Sequence, residues 1–131
     1  MKSINILPTI LASVVLFLSG CGDAGPVMFP VQGNVTWNKM PLENGNITFE
    51  PTDTAKAPSG GKIVNGRYQL RASAGKCKIR ILATRPGKTV DAQMGVAPQE
   101  QYIPAKYNSE TTLEFEVQAA GPNVKDFDLE M

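Results

Sequence analysis

The sequence predicts an all-β domain, a seven-stranded antiparallel β-sandwich that follows a cleaved signal peptide. Three observations predict this fold. Apolar residues recur at every second position in short segments, turn residues separate these segments at intervals of about ten residues, and no segment after Leu18 has useful helical periodicity. Each strand then has one buried face, and two packed sheets let these faces share one core. A small closed barrel satisfies the same pattern.

The predicted strands cover residues 31–37, 45–50, 61–64, 67–71, 76–81, 112–117 and 124–129. The clearest hairpin has Asn65-Gly66 at its centre, because this pair suits a type I′ turn, whose two central residues need positive φ. Strand 76–81 alternates apolar and cationic residues without a break. The residues predicted to face the shared core are Val35, Trp37, Ile47, Phe49, Tyr68, Leu70, Ile79, Ile81, Leu113, Phe115, Val117, Phe127 and Leu129, with Cys77 also directed inward.

The first twenty residues have the features of a bacterial export signal. Lys2 precedes an apolar run from Ile4 to Leu18, which is shorter than the roughly 20 residues that span a bilayer. Leu18-Ser19-Gly20-Cys21 then resembles a lipobox, in which the cysteine sulfur receives the lipid. The alternatives are an ordinary signal peptide with a chance cysteine, or a buried apolar helix, which would need polar positions at helical spacing. We therefore expect Cys21 to carry a membrane lipid.

This signal sets the expected domain organisation. Residues 1–20 form the lipoprotein signal peptide, 21–30 a lipidated flexible tether rich in Gly and Pro, and 31–131 the β-sandwich domain. The anchor predicts an exported protein that faces the periplasm or the cell exterior. Gly22 follows the anchor in place of an aspartate that favours inner-membrane retention, which is compatible with an outer-membrane destination.

Charge and cysteine content exclude two further classes. The 131-residue chain has a formal net charge of +1 at pH 7, and removing Lys2 with the signal leaves none. A nucleic-acid partner would need a basic face, so we expect no such partner. Lipidation of Cys21 leaves Cys77 without an intramolecular partner, which rules out a disulfide framework. Cys77 is expected to be a buried small hydrophobe rather than a reactive nucleophile.

Several segments, taken in order, resemble the carboxypeptidase regulatory-like, transthyretin-like family of seven-stranded sandwiches, in the version found on small bacterial lipoproteins. These segments are Val31-Gln32-Gly33-Asn34-Val35-Thr36, Gly45-Asn46-Ile47-Thr48-Phe49-Glu50-Pro51, Gly66-Arg67-Tyr68-Gln69-Leu70, Ala74-Gly75-Lys76-Cys77-Lys78-Ile79, and Ile103-Pro104-Ala105-Lys106-Tyr107-Asn108 with Thr111-Thr112-Leu113. The resemblance covers nearly all of residues 31–129. It implies stability, adhesion or interaction modules outside the cytoplasm, with no established catalytic residues to carry over.

The residue content argues against catalysis. The chain has no histidine, which removes the commonest general base and the commonest neutral metal ligand. We expect no enzymatic activity, no catalytic residues and no cofactor. Carboxylates alternate with buried residues at Glu114 and Glu116, and again at Asp126, Asp128 and Glu130. If those two strands pair, the five groups share one outer face, either a solvated face, which we favour, or a calcium-binding one.

The segment from Pro86 to Glu110 is far longer than an ordinary loop, and loops of that length are usually functional or disordered. The residues predicted as its contact surface are Gln99, Gln101, Tyr102, Lys106 and Tyr107. The alternative is that this loop merely covers one open end of the sandwich. Trp37 and Tyr68 have inward parity, which favours core packing over stacking on sugar rings.

Two functions from different classes remain at this point. The first is a lipid-anchored, non-enzymatic structural or protein-binding module of the cell envelope, whose partners are membrane lipid at Cys21 and an envelope protein. The second is an accessory module at the cell surface that binds carbohydrate or calcium. A hydrolase is disfavoured, because no acid pair occurs in a cleft-forming motif.

Overall fold

The computed structural model describes residues 25–131, so the lipobox residues Leu18, Ser19 and Gly20, and Cys21, lie outside the described residues. Within this range the strands are β1 (Met28–Trp37), β2 (Met40–Pro41), β3 (Asn44–Pro51), β4 (Ser59–Val64), β5 (Arg67–Ser73), β6 (Gly75–Leu82), β7 (Thr84–Pro86), β8 (Gln99–Gln101), β9 (Glu114–Val117), β10 (Asn123–Val124) and β11 (Phe127–Leu129). One turn of 3-10 helix covers Ala105–Tyr107. The all-β class is confirmed.

Most of the strands belong to one curled sheet with the order β10-β1-β5-β4-β3-β6-β9. Neighbours between β1 and β9 are antiparallel, whereas β2 and β11 pair with the last residues of β1. Strands β7 and β8 form a separate two-stranded sheet. The described strands are more numerous than the seven predicted, because the segment 124–129 is interrupted, the long loop contains strands of its own, and Met40–Pro41 forms a short strand.

The carboxyl-terminal segment runs parallel to β1, where the sequence predicted an antiparallel sheet throughout. Val31 lies opposite Asn123 and Val35 opposite Phe127, so β10 and β11 keep one register along β1. At the break between them, the Asp126 carboxylate accepts the backbone N–H of Asn34 at 2.8 Å. This side chain therefore takes the place of a backbone carbonyl and keeps the interrupted strand attached.

Close contact between β1 and this segment depends on Gly33. A Cβ atom at Gly33 would overlap the Lys125 carbonyl oxygen and would lie 2.6 Å from its carbon and 2.9 Å from Cε1 of Tyr68. The Tyr68 hydroxyl donates a hydrogen bond to the same Lys125 oxygen at 2.6 Å. The absence of a side chain at position 33 thus leaves room for both the strand and the tyrosine.

One hydrophobic core fills the inside of the curl. Ten of the thirteen residues predicted to face it are buried, while Trp37, Leu113 and Phe115 are half-buried against it. Cys77 is buried as predicted. Leu42, Ile63 and Ile103 also belong to the core and were not in the predicted set. Phe49 is fully buried at the centre, with ring centroids of Tyr68 and Phe115 at 6.1 and 6.2 Å.

Two tight turns have the positive φ angles that sharp reversals require. Asn65 and Gly66 have φ of 51° and 75°, which confirms the predicted type I′ hairpin between β4 and β5. Asn38 and Lys39 have φ of 48° and 69°, and their turn folds β2 back onto the end of β1. The second turn contains no glycine, so the residue types in it did not predict a tight reversal followed by a strand.

The first strand begins earlier than expected. Residues 28–30 were assigned to the flexible tether, but Met28 pairs with Ser73 and Phe29 with Ala72. The guanidinium of Arg71 also donates a hydrogen bond to the Met28 carbonyl oxygen at 2.7 Å. Pro30 can join the strand because its carbonyl oxygen faces Asn123, whose side-chain nitrogen donates to it at 3.4 Å, so the position of the missing N–H lies away from β5.

Side chains close the curl where its two edges approach. The Asn123 amide oxygen accepts the Gln118 N–H at 2.7 Å, and its nitrogen donates to the carbonyl of Gln118 at 3.0 Å and to that of Pro30 at 3.4 Å. Asn123 therefore links the chain just beyond β9 to β1. Among residues 25–131, no helix has the length and apolar character needed to cross a membrane.

Titration of Tyr68 is expected to weaken the fold at high pH. Burial raises the pKa of Tyr68 well above its usual value, and the nearby Asp126 carboxylate adds to the rise. The pKa of Tyr68 in the folded state exceeds its value of about 10 in the unfolded state. Protonated Tyr68 therefore makes its full contribution to the free energy of unfolding below a pH of about 10, and this contribution falls as the pH rises further. Urea unfolding from pH 8 to 11 should show a steeper loss for wild type than for Tyr68→Phe. Parallel pH profiles would contradict this assignment.

Candidate interaction site

The long loop of the prediction is an ordered hairpin, here called the arm (residues 84–101). Thr84 pairs with Gln101 and Pro86 with Gln99. The ladder continues beyond the strands, since the Gly87 N–H donates to the Pro98 carbonyl at 2.8 Å. The arm therefore leaves the main sheet after β6 as a two-stranded extension with its own tip (residues 88–97).

Internal contacts hold the base of the arm. The Gln101 side-chain oxygen accepts the backbone N–H of Ala83 at 2.9 Å. The Tyr102 ring packs edge-on against Trp37 with centroids 5.9 Å apart, and the Arg85 guanidinium lies 5.1 Å from the same ring centroid. Burial raises the pKa of Tyr102, while the charge of Arg85 opposes the rise. These contacts fix the direction in which the arm leaves the sheet.

The segment after β8 returns to the core through the 3-10 turn. Ile103 is buried, and the side-chain nitrogen of Asn108 donates to the carbonyls of Ile103 and Pro104 at 3.2 and 3.1 Å. The Tyr107 hydroxyl accepts the Glu130 N–H at 2.9 Å, and the Lys106 ammonium lies over the Tyr107 ring. This segment covers one end of the curl, which is the role that the alternative interpretation gave to the loop.

The five residues predicted as a contact surface thus divide into two groups. Gln101, Tyr102 and Tyr107 make the internal contacts just described. Gln99 and Lys106 are exposed, and the Lys106 ammonium lies over the Tyr107 ring. The structure brings the five residues to one end of the molecule, and their role in contact with a partner stays a prediction.

The arm carries an apolar surface that sequence reasoning missed. Val90, Met94 and Val96 are 61%, 75% and 60% exposed within a seven-residue stretch of the tip. Single exposed apolar residues are ordinary on a protein surface, but three large ones on one short loop are typical of a contact site. The signal in the sequence was the presence of valine and methionine in a loop rich in polar and small residues.

The tip is ordered by Asp91. Its carboxylate accepts the backbone N–H groups of Gln93 and Met94 at 2.8 and 3.2 Å, and its carbonyl accepts that of Gly95 at 2.8 Å. Gly95 has φ of 68°, and the Asp91 N–H then donates to the Val96 carbonyl at 3.1 Å. The apolar side chains are therefore presented by a formed turn.

The arm lies at the end of the sheet opposite to Met28, where the first strand begins. Met28 pairs with Ser73, which is joined through one residue to Gly75 at the start of β6. Strand β6 ends at Leu82, and the arm begins two residues later. Eight strand residues span roughly 26 Å, so about this length of sheet separates Met28 from the base of the arm.

The predicted acidic face does not form. Strand β9 pairs with β6, whereas β10 and β11 pair with β1, so the two acidic segments lie on opposite edges of the sheet. Glu114 approaches Lys76 at 3.5 Å, and Asp128 accepts the Thr36 hydroxyl at 2.7 Å. Within residues 25–131, no group of three or more carboxylate or cysteine side chains is placed to hold a metal ion.

Cys77 occupies a core position. Its side chain is 1% exposed, and burial raises the pKa of its thiol, opposed in part by the charge of Lys56. A thiol that is buried and held protonated is a poor nucleophile.

The fold and the arm together define an all-β domain that displays an ordered, apolar-tipped hairpin. No protein-family model and no curated protein sequence matches the chain. Among solved structures, a 9R-lipoxygenase from Cyanothece PCC8801 is similar over 79% of this chain and 16% of that one, with 15% identity and a TM-score of 0.39. A likeness at this level carries no argument about fold family or function.

Proposed function

We propose that this chain is a lipid-anchored, non-enzymatic protein of the bacterial cell envelope that binds a partner protein through the tip of the arm. The proposal combines the amino-terminal signal, whose Cys21 would carry the lipid, with the geometry of the arm. The single observation that carries it is the exposure of Val90, Met94 and Val96 on an ordered turn. Burying three such side chains against a partner contributes several kcal/mol, at about 25 cal/mol per Å².

The placement of the arm supports a protein partner over the membrane itself. The tether would join the domain at Met28, and the arm begins at the other end of β6. A protein anchored at Cys21 would therefore present the tip away from its own membrane. A rigid, preformed apolar surface binds with little loss of conformational entropy.

The proposal also includes the family to which the fold belongs. We assign the curled sheet to the carboxypeptidase regulatory-like, transthyretin-like β-sandwiches that the sequence resembles. Two features support the assignment: the Gly33 contact with the carboxyl-terminal strand and the hairpin turn that contains Gly66. Gly33 and Gly66 each lie in a segment that carries the resemblance. A sandwich of this kind displays loops at both of its ends, which suits a binding role.

Cross-linking at the tip tests the partner. A photoreactive amino acid placed at Met94 in the anchored protein should give one discrete adduct in intact envelopes. The same group at Glu116, an exposed position of β9, is the control and should not give that adduct. The double variant Val90→Ser/Val96→Ser should reduce the yield about tenfold, because two apolar contacts are lost. Equal adducts at both positions would contradict the proposal.

Detergent phase separation tests the anchor. Cys21→Ser should move the protein from the detergent phase to the aqueous phase, since the lipid would have no attachment point. Cys77→Ser is the matched control, because it removes the other cysteine and should leave partitioning unchanged. Unchanged partitioning of the Cys21→Ser protein would rule out the lipid anchor.

A further inference from the structure

The outer face of β4, β5 and the first half of β1 differs in charge from the rest of the sheet. Its outward positions carry the cations Lys62, Arg67 and Arg71, and none of them is a carboxylate. Neither Lys62 nor Arg67 makes an ion pair with any residue in the described range. Two carboxylates of the neighbouring segments are engaged, Glu50 by Arg80 at 2.7 Å and Asp126 by the backbone and side-chain N–H groups of Asn34 at 2.8 and 3.3 Å.

The same face has a groove lined by side-chain amides. A shallow depression of about 480 Å³ includes Gln32 and Asn34 of β1 with Arg67 and Gln69 of β5. Gln32 lies opposite Gln69, and Asn34 opposite Arg67. A smaller depression of about 290 Å³ continues across β4 to β3, where Asn46 lies opposite Lys62. Amide side chains both donate and accept hydrogen bonds, as sugar hydroxyls do.

A glycine keeps the smaller depression open. Gly60 lies at an exposed position of β4 and lines this depression. At Gly60 a Cβ atom would meet nothing closer than the Ile47 carbonyl oxygen, at 3.7 Å. Packing therefore does not require glycine at position 60. The absence of a side chain there keeps the surface of the depression open.

We propose that this face binds an acidic polysaccharide. Lys62, Arg67 and Arg71 would pair with carboxylate or sulfate groups, for which the planar guanidinium is especially suited. Gln32 and Gln69 would bond to hydroxyls, whereas the Asn34 side-chain nitrogen already donates to the Asp126 carboxylate at 3.3 Å. Arg67 and Arg71 are four residues apart on β5, a distance of roughly 13 Å, so they would contact different sugar units of an extended chain.

Two features favour an acidic glycan over other ligands. No aromatic side chain occupies an outward position of β4, β5 or residues 30–34 of β1, so a neutral sugar would have no stacking platform. At the larger depression Gln32 is paired on both sides, with Gln69 and with Val124, and Arg67 is paired with Asn34 and with Val64. An acidic peptide would therefore find no free strand edge at these residues to extend. No residue of the arm's tip lines these depressions, so the two binding proposals can be tested independently.

Binding of defined polymers to the full chain in non-ionic detergent tests the proposal. Polygalacturonate should bind, and the affinity should fall as salt is added, because the pairing is electrostatic. Neutral dextran should not bind. Lys62→Gln/Arg67→Gln should weaken polygalacturonate binding about tenfold. The control Lys88→Gln/Lys106→Gln removes the same charge from the arm and the 3-10 turn and should change the affinity less than about twofold.

A second variant tests the groove without changing charge. Gly60→Val places a branched side chain in the open depression, in a strand that tolerates it, and should weaken binding about fivefold with the fold intact. Three results would overturn the proposal: no binding of polygalacturonate, equal losses in the two double variants, or poly-glutamate binding as tightly as polygalacturonate. The last result would assign the face to acidic proteins. Cross-linking at Met94 should be unaffected by Gly60→Val.

Discussion

Replacing Gly33 by alanine is expected to lower the free energy of unfolding by about 3 kcal/mol, the upper end of overpacking effects. The added Cβ would overlap the Lys125 carbonyl oxygen and crowd the Tyr68 ring. Neither neighbour can move alone, because the Tyr68 hydroxyl is bonded to that same oxygen. The carboxyl-terminal strand must therefore shift away from β1, and the hydrogen bond from Lys125 to the Gln32 carbonyl is lost with it.

Urea unfolding with Gly60→Ala as the matched control measures this effect. Gly60 lies in a strand with open space around its Cβ position, so alanine there should be neutral or should stabilise by up to about 1 kcal/mol. Hydrogen exchange should also show faster exchange of the amides in β10 and β11 in the Gly33→Ala protein. If the two variants were equally stable, the close contact at Gly33 would be excluded.

Phe49→Ala is expected to cost about 4 kcal/mol, which is a large share of the stability of a domain this size. Phe49 is fully buried, and its ring meets that of Phe115 edge-on at 6.2 Å and that of Tyr68 at 6.1 Å. Removing it opens a cavity between strands β3, β5 and β9, whose backbones are tied into one sheet and cannot collapse to fill it.

Thermal and urea unfolding of three variants distinguish the loss of core packing from a general sensitivity of the fold to substitution. Phe49→Leu keeps much of the volume and should lose less than half as much stability as Phe49→Ala. Val64→Ala, at a position 53% exposed, should change the unfolding free energy by less than about 0.5 kcal/mol. A loss below about 1 kcal/mol for Phe49→Ala would show that the aromatic cluster is not the centre of the core.

The parts of the fold that the sequence predicted are those with local causes. Strand periodicity identified the bulk of the core because side chains alternate across a strand regardless of its neighbours. Asn65-Gly66 predicted its own turn, since φ above zero is cheapest for these residues. The sequence did not predict the break in the strand at Lys125 and Asp126. The Asp126 carboxylate can replace a backbone acceptor only because Asn34 lies opposite it, and Asn34 is distant in the chain.

The sequence predicted which segment of the chain carries the candidate site, but not which of its residues are exposed. Length alone marked the segment from Pro86 to Glu110, yet Tyr102 and Tyr107 were chosen for their residue type and make internal contacts in the structure. Exposure of Val90 and Met94 depends on the arm projecting beyond the core, and that projection is fixed by contacts between Trp37 and Tyr102. No local pattern encodes such a contact between residues far apart in the chain.

By itself, the sequence determined the all-β class, the central hairpin, the burial of Cys77 and most of the core, because periodicity and turn chemistry act over a few residues. The proposed anchor at Cys21 rests on the sequence alone, on the resemblance of Leu18-Ser19-Gly20-Cys21 to a lipobox. Only the tertiary structure decided that the carboxyl-terminal strand runs parallel to β1, that the acidic segments lie apart, and that the arm is ordered with an apolar tip. Each of these depends on which strands pair, and pairing is settled by packing across the whole chain.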